Sequence, residues 1–90
     1  MSQDVVESGN FTNTTQAASP KTISGARRLI GVLCNSTSSG TFAIADADGN
    51  TVTGTTTPTA GAFVRVPATL AADPVITMTN TINITVFWAN

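Results

Sequence analysis

Residues 82–88 read INITVFW, and this stretch decides the fold class. Its even-numbered positions hold Ile, Ile, Val and Trp, whereas Asn83, Thr85 and Phe87 occupy the odd ones. A period of two is typical of a β-strand with one buried face. A shift of one residue in pairing would bring every even-numbered apolar side chain to solvent, so the register is strongly specified. Because Phe87 and Trp88 lie on opposite faces, we expect one in the core and the other on a second face that serves as an interface.

Outward from this strand, runs of strand length alternate with turn signals about every ten residues, and no long helical period appears. Residues 27–35 are apolar on both parities, with Ile30, Val32 and Cys34 on one face and Leu29 and Leu33 on the other, which predicts a central strand covered on both faces. Residues 36–40 predict a turn, and Asp48-Gly49 is a hairpin signal. We therefore predict an all-β domain over residues 27–90, a small antiparallel β-sandwich or jelly-roll-like barrel of roughly six to eight strands.

Residues 1–26 differ in character, since they are polar and hold few substantial apolar side chains. The pattern allows short strands at 11–15 and 22–23, but it is too weak to bury itself. We therefore predict an N-terminal arm that is extended or docks on a partner.

Composition limits the partners and the stability of this chain. Charged residues make up 10 % of the 90 residues, against about a quarter in typical soluble domains. The net charge of −1 offers no attraction for a phosphate backbone, so we predict no nucleic-acid partner. A chain of this length buries a small core, and the single cysteine and absent histidine leave no internal disulfide or zinc site. Oligomerisation is the remaining way to gain stability.

No apolar run reaches the length of a membrane span, and residues 1–10 lack the basic and apolar regions of a secretory signal. We therefore expect a protein made in the cytoplasm with no membrane partner.

Catalytic chemistry finds little support in these residues. Without histidine, a general base would have to come from paired carboxylates, and only Asp46 and Asp48 lie close together, both at the predicted hairpin. Residues 46–50 resemble a calcium loop superficially, but the glycine comes early and no glutamate follows. Cys34 lies in an apolar run and is expected in the core. We predict no enzyme, no catalytic or metal-binding residue and no cofactor.

Binding to a protein is the better-supported role. Guanidinium groups on a β-surface commonly anchor carboxylates of a partner, although they also keep a weakly charged surface soluble, and both interpretations stay open. The candidate partner-binding residues are these arginines and the apolar residues of the arm: Val5, Val6, Phe11, Arg27, Arg28 and Arg65.

Four motifs carry a resemblance: SGARRLIGV at 24–32, STSSGTF at 36–42, TPTAGAF at 57–63 and ITVFW at 84–88. Over residues 21–90 the chain resembles small tailed-phage virion proteins of the capsid decoration (cement) type. The resemblance implies a protein on the outer capsid surface of the virion that binds the major capsid protein, stabilises the lattice by bridging its subunits and forms a homo-oligomer, often a trimer. The alternative is a carbohydrate- or receptor-binding β-module of a phage fibre or tail.

Overall fold

The computed structural model describes residues 6–89, which form six β-strands in one antiparallel sheet. This result confirms the predicted all-β class. No helix in this part of the chain could cross a membrane. In chain order the strands are β1 (Val6–Asn13), β2 (Ser19–Thr22), β3 (Arg28–Asp46), β4 (Thr51–Thr56), β5 (Phe63–Thr69) and β6 (Pro74–Ala89).

The two long strands β3 and β6 pair with each other along their whole length and form the centre of the sheet. Along the edge of β6 that faces away from β3, β1 pairs with residues 82–89 and β2 with residues 75–78. On the outer side of β3, β5 pairs with residues 28–33 and β4 with residues 42–45. One half of the sheet therefore has the order β1-β6-β3-β5, and the other half has β2-β6-β3-β4.

Strand β3 is longer than its partner, with 19 residues against 16 in β6. Three register shifts account for the difference: between Leu29 and Gly31, between Cys34 and Ser36, and between Ser38 and Ser39. Each is a β-bulge that adds one residue to β3 and bends it. The predicted turn at residues 36–40 is therefore wrong, because this Ser- and Gly-rich segment stays in the ladder and takes up bulges.

The two long strands also bend at the same level. Sixteen residues in a straight strand would span roughly 50 Å, whereas the molecule extends 43 Å along its longest principal axis. At this level Ser39 has a φ of 60° and Asn80 a φ of 63°, and the Asn80 side-chain amide donates a hydrogen bond to the Ser39 carbonyl at 3.0 Å. The polar residues that suggested a turn thus mark the bend of the central strand pair.

One face of the bent sheet carries the core. The even-numbered positions of β6 confirm the alternation, since Ile82, Ile84 and Val86 are at most 1 % exposed and Trp88 packs against the core. In β3 the first bulge places Leu29 on the same face as Val32. The expectation that Leu29 lies opposite Val32 is therefore wrong. The remaining members of the core, from all parts of the chain, are Ile23, Ala26, Phe42, Ile44, Val66, Leu70, Ile76 and Met78.

The first part of the described chain forms two edge strands on β6 of the same molecule. The strands at Val6–Asn13 and Ser19–Thr22 differ in position from the segments predicted at 11–15 and 22–23. Ile23 is buried in the core, and its N–H donates to the Pro74 carbonyl at 3.0 Å. Docking of residues 1–26 on a partner stays a prediction.

Two carboxylates, those of Asp46 and Asp73, hold loops at the end of the sheet where β3 ends and β6 begins. Asp46 closes the predicted hairpin: it accepts the backbone N–H groups of Asp48 at 3.0 Å and Asn50 at 2.9 Å, and the Asn50 side-chain amide at 3.0 Å. Asp73 accepts Arg27 Nη1 at 2.8 Å and the Gly25 N–H at 3.0 Å. The Asn50 amide lowers the pKa of Asp46, and the Arg27 guanidinium lowers the pKa of Asp73.

These shifts predict acid sensitivity. A carboxyl group whose pKa is lower in the folded state stabilises that state above its unfolded pKa of about 4 and loses this contribution as the pH falls through its folded value. We expect Asp73→Asn to lower the unfolding midpoint at neutral pH, and the gap from wild type to narrow as the medium is acidified below pH of about 4. Denaturant unfolding across pH measures this.

The matched control is Asp48→Asn, which changes a carboxylate without a side-chain hydrogen bond among residues 6–89. It should follow the wild-type curve. A constant gap between wild type and Asp73→Asn at every pH would contradict the role given to the Asp73 charge.

The bend makes a second prediction, at Gly40. A Cβ atom there would lie 2.4 Å from Ile82 Cβ and 2.5 Å from the Thr81 carbonyl oxygen, so the backbone of the central pair would have to move. We expect Gly40→Ala to destabilise the fold by about 1–3 kcal/mol, the usual cost of overpacking. Gly54→Ala is the control, because a Cβ at Gly54 meets nothing within 4 Å. Equal unfolding midpoints for the two variants would rule out close packing at Gly40.

Candidate protein-binding surface

The face of the sheet opposite the core carries aromatic and arginine side chains in the β1-β6-β3-β5 half. Register places Gly31 of β3 between Phe87 of β6 and Arg65 of β5. Two residues further along β3, on the same face, Leu33 lies opposite Phe63. We call Arg28, Leu33, Phe63, Arg65 and Phe87 the aromatic–arginine surface.

Two phenylalanines form the apolar part of this surface. The rings of Phe63 and Phe87 have centroids 6.0 Å apart and are tilted by 57°, a favourable arrangement for an aromatic pair. The Phe63 side chain is 48 % exposed and Phe87 is half-buried. Trp88, by contrast, packs against the core. The expectation that residues 87 and 88 divide between the outer face and the core is therefore confirmed.

Gly31 holds the Phe63 ring in place. A Cβ at Gly31 would lie 2.3 Å from Phe63 Cζ and 2.8 Å from the Val64 carbonyl oxygen. The ring therefore lies directly over the Gly31 backbone, and any larger residue at position 31 would push it away. The exposed ring thus packs on one side against the backbone of the sheet, which limits the positions it can take and suits an anchor that loses little freedom on binding.

Arginines border the apolar part. Arg28 and Arg65 line a groove of about 450 Å³ together with Ile30, Phe63 and Pro67, and none of its lining residues is acidic. Among residues 6–89 the Arg65 guanidinium has no ion pair or hydrogen bond. A groove lined by both apolar side chains and guanidinium groups is complementary to an apolar side chain that has carboxylates nearby.

The structure brings together two of the predicted partner-binding residues, Arg28 and Arg65. Arg27 instead pairs with Asp73, and Phe11 lies on the core face beside Gly9 and Trp88. Val6 is 60 % exposed on the outer face of β1, and Val5 lies outside the described residues.

Phe63 is a site residue that the sequence prediction did not include. The signal was the shared parity of Phe63 and Arg65 in the segment GAFVRVP, which places both on one face of β5. The segment cannot show that Phe63 lies beside Phe87, because that contact depends on how β5 and β6 each pair with β3.

A row of side-chain amides crosses the outer face beside the aromatic–arginine surface. Asn83 Oδ1 accepts the amides of Asn10 at 2.7 Å and Asn35 at 3.0 Å, and the Asn35 amide also donates to the Thr85 hydroxyl at 2.9 Å. We call Asn10, Asn83 and Asn35 the amide ladder. It joins β1, β6 and β3 across the sheet and ends at Asn10 on the edge strand.

A second cavity, of about 330 Å³, lies at the bend and is lined by hydroxyl and amide side chains from residues 14–16, 38–39 and 80–81. Beside it the buried Asn13 amide donates to the carbonyls of Thr15 and Asn80, both at 2.9 Å. These bonds attach the loop that follows β1 to strand β6, so the polar groups here stabilise the fold.

The described residues contain no group of three or more His, Cys, Asp or Glu side chains that could hold a metal ion. Burial raises the pKa of the Cys34 thiol, which is fully enclosed. Comparisons of the chain with protein-family models, with curated proteins and with solved structures gave no match.

Proposed function

We propose that this chain is a phage virion structural protein, a capsid decoration protein that binds the outer capsid lattice and bridges major capsid subunits. The observation that carries the proposal is the aromatic–arginine surface, in which the exposed Phe63 ring packs against the half-buried Phe87 beside two arginines. The resemblance of residues 21–90 to tailed-phage virion proteins supplies the kind of partner. The role proposed is binding, with no catalytic step.

The surface has the composition of a binding hot spot. Aromatic and arginine residues dominate the energy of protein interfaces, chiefly where they are desolvated at the centre of the contact. Phe63 supplies apolar area that is 48 % exposed before binding. Arg65 supplies charge-assisted hydrogen bonds to a carboxylate of the capsid protein.

Lattice stabilisation then follows from mass action. A protein that binds the assembled shell and not the free subunit stabilises the shell, and the stabilisation grows with its free concentration relative to its dissociation constant. Copies that associate with each other bind through several sites at once, which raises the avidity. We include self-association in the proposal, and the trimer implied by the resemblance is one form of it.

The bent sheet supports a finer description of the fold as well. Side chains from both halves, such as Ile76 and Val86 at opposite ends of β6, belong to one core cluster. We propose that the two halves act as the layers of a small β-sandwich.

The test uses particles of the parent phage that lack this gene. We expect purified wild-type protein to restore the surface density seen by cryo-EM and the resistance of the particles to heat. Phe63→Ala and Arg65→Glu should each weaken binding to the particles by about tenfold or more, as hot-spot residues do.

Lys21→Glu is the matched control, because it makes the same charge change in the other half of the sheet and should bind as the wild type does. Deletion particles with unchanged surface density and heat resistance would contradict the proposed function. Binding that is equal in all three variants would contradict the aromatic–arginine surface as its site.

The alternative, a carbohydrate- or receptor-binding module, is favoured by one observation: the exposed Phe63 ring lies on the same face as the amide ladder. Sugar recognition combines ring stacking with hydrogen bonds from amides. Binding to a glycan array by wild-type protein, lost in Phe63→Ala, would replace the capsid proposal with this one.

A further inference from the structure

Strand β5 lines the groove of the aromatic–arginine surface with alternate side chains. On the outer face it presents four exposed residues in order: Phe63, Arg65, Pro67 and Thr69. All four line the groove, whereas Val66 between them is buried in the core. Side chains on one face of a strand repeat about every 7 Å. The groove therefore offers an apolar, a cationic and a second apolar position in a row.

The charge of this face limits what the groove can bind. Among residues 6–89, Arg28 and Arg65 are the charged residues that the β1-β6-β3-β5 half places on its outer face, since Glu7 lies opposite the core-facing Trp88. None of the described residues that line the groove is acidic. The face is thus positive on a chain whose net charge is −1. It is complementary to an anionic partner, and it repels the same face of a second copy.

Arg65 is the cation at the centre of the row. Its guanidinium has no ion pair or hydrogen bond with the described residues. Apolar groups bound on both sides of Arg65 would exclude water from it, and hydrogen bonds between charged groups gain strength as water is removed. One cation between two apolar positions favours a polypeptide over a nucleic acid, whose affinity depends on several phosphate contacts.

The backbone of β5 restricts how such a polypeptide binds. Pro67 has no N–H group, and the pairing of β5 with β3 shifts in register between Leu29 and Gly31. Both features make an edge a poor template for a further strand. The occupant therefore contacts the side chains on the outer face, in a groove of about 450 Å³.

We propose that the groove binds an extended acidic segment of the partner protein, in which alternate residues are apolar, acidic and apolar. The apolar side chains lie against Phe63 and Pro67, and the carboxylate between them accepts hydrogen bonds from Arg65. Alternate residues of an extended segment have the same spacing as those of β5, so all three contacts form together. The inference rests on the proposed function and names the chemistry of the segment that the capsid protein supplies.

Synthetic peptides test this pattern on the wild-type protein. The probe is a peptide with blocked ends and the sequence Ser-Leu-Ser-Glu-Ser-Leu-Ser. One comparison peptide has Gln in place of Glu, and another, Ser-Leu-Leu-Glu-Ser-Ser-Ser, has the same composition without the alternation. NMR titration of the amides of residues 63–69 measures the dissociation constants. We expect the probe to bind about tenfold more tightly than either comparison peptide, the usual effect of losing a charge-assisted hydrogen bond or an apolar contact.

Variants of the protein identify the groups that recognise the probe. Arg65→Gln should remove the difference between the Glu and Gln peptides, because the cation that distinguishes them is gone. Phe63→Ala should weaken both peptides, because it removes an apolar contact that both make. Lys21→Gln is the matched control, since it removes one positive charge from the other half of the sheet and should bind all three peptides as the wild type does.

Equal affinity for the Glu and Gln peptides, a preference for Glu that survives Arg65→Gln, or equal binding of the rearranged peptide would each overturn the proposal. Oligothymidylate that shifts the amides of residues 63–69 when the probe does not would also overturn it, because the groove would then bind phosphate.

Particle binding separates this inference from the proposed function. If the peptides show no preference but Arg65→Glu weakens binding to the parent particles, the inference is wrong and the proposed function stands. If the probe is preferred as expected but the protein does not bind the particles, the proposed function is wrong, and the segment belongs to another protein.

Discussion

The pairing of β3 with β6 is the constraint on which the rest of this structure depends. These strands form the centre of both halves of the sheet, and every other strand pairs with one of them. Because 19 residues of β3 face 16 of β6, the ladder closes only with bulges. The bulges decide which β3 side chains enter the core and, together with the bend at Ser39 and Asn80, the shape of the sheet.

The two faces of the same strand pair carry different side chains. Its inner face collects the apolar side chains of β6 and β3 into one core. On its outer face, Phe87 of β6 and Arg65 of β5 both lie opposite Gly31, and the Phe63 ring lies above the backbone of this glycine. Aromatic and arginine side chains are the residue types that are enriched at the centres of protein interfaces. The amide ladder crosses the same face from Asn35 of β3 through Asn83 of β6 to Asn10 of β1.

Local patterns in the sequence predicted what depends on neighbouring residues. The alternation at 82–88 and the Asp48-Gly49 hairpin were both found, because strand period and turn chemistry are local properties. The bulges were missed because the segment STSSG looks the same in a turn and in a bulged strand. Arg27 was named as a candidate for partner binding, and its ion pair with Asp73 was not predicted because the two residues lie 46 positions apart. Phe63 and Phe87 likewise meet only through β3.

The central claim is that β3 and β6 form one continuous ladder whose register changes along its length. Nuclear Overhauser contacts between backbone protons of opposite residues measure this register directly. We predict contacts of Phe42 with Met78, of Cys34 with Ile84 and of Leu29 with Trp88 in the same molecule. A ladder of constant register cannot contain these three pairs together. A single constant register from end to end, or two separate hairpins with a turn at residues 36–40, would contradict the account.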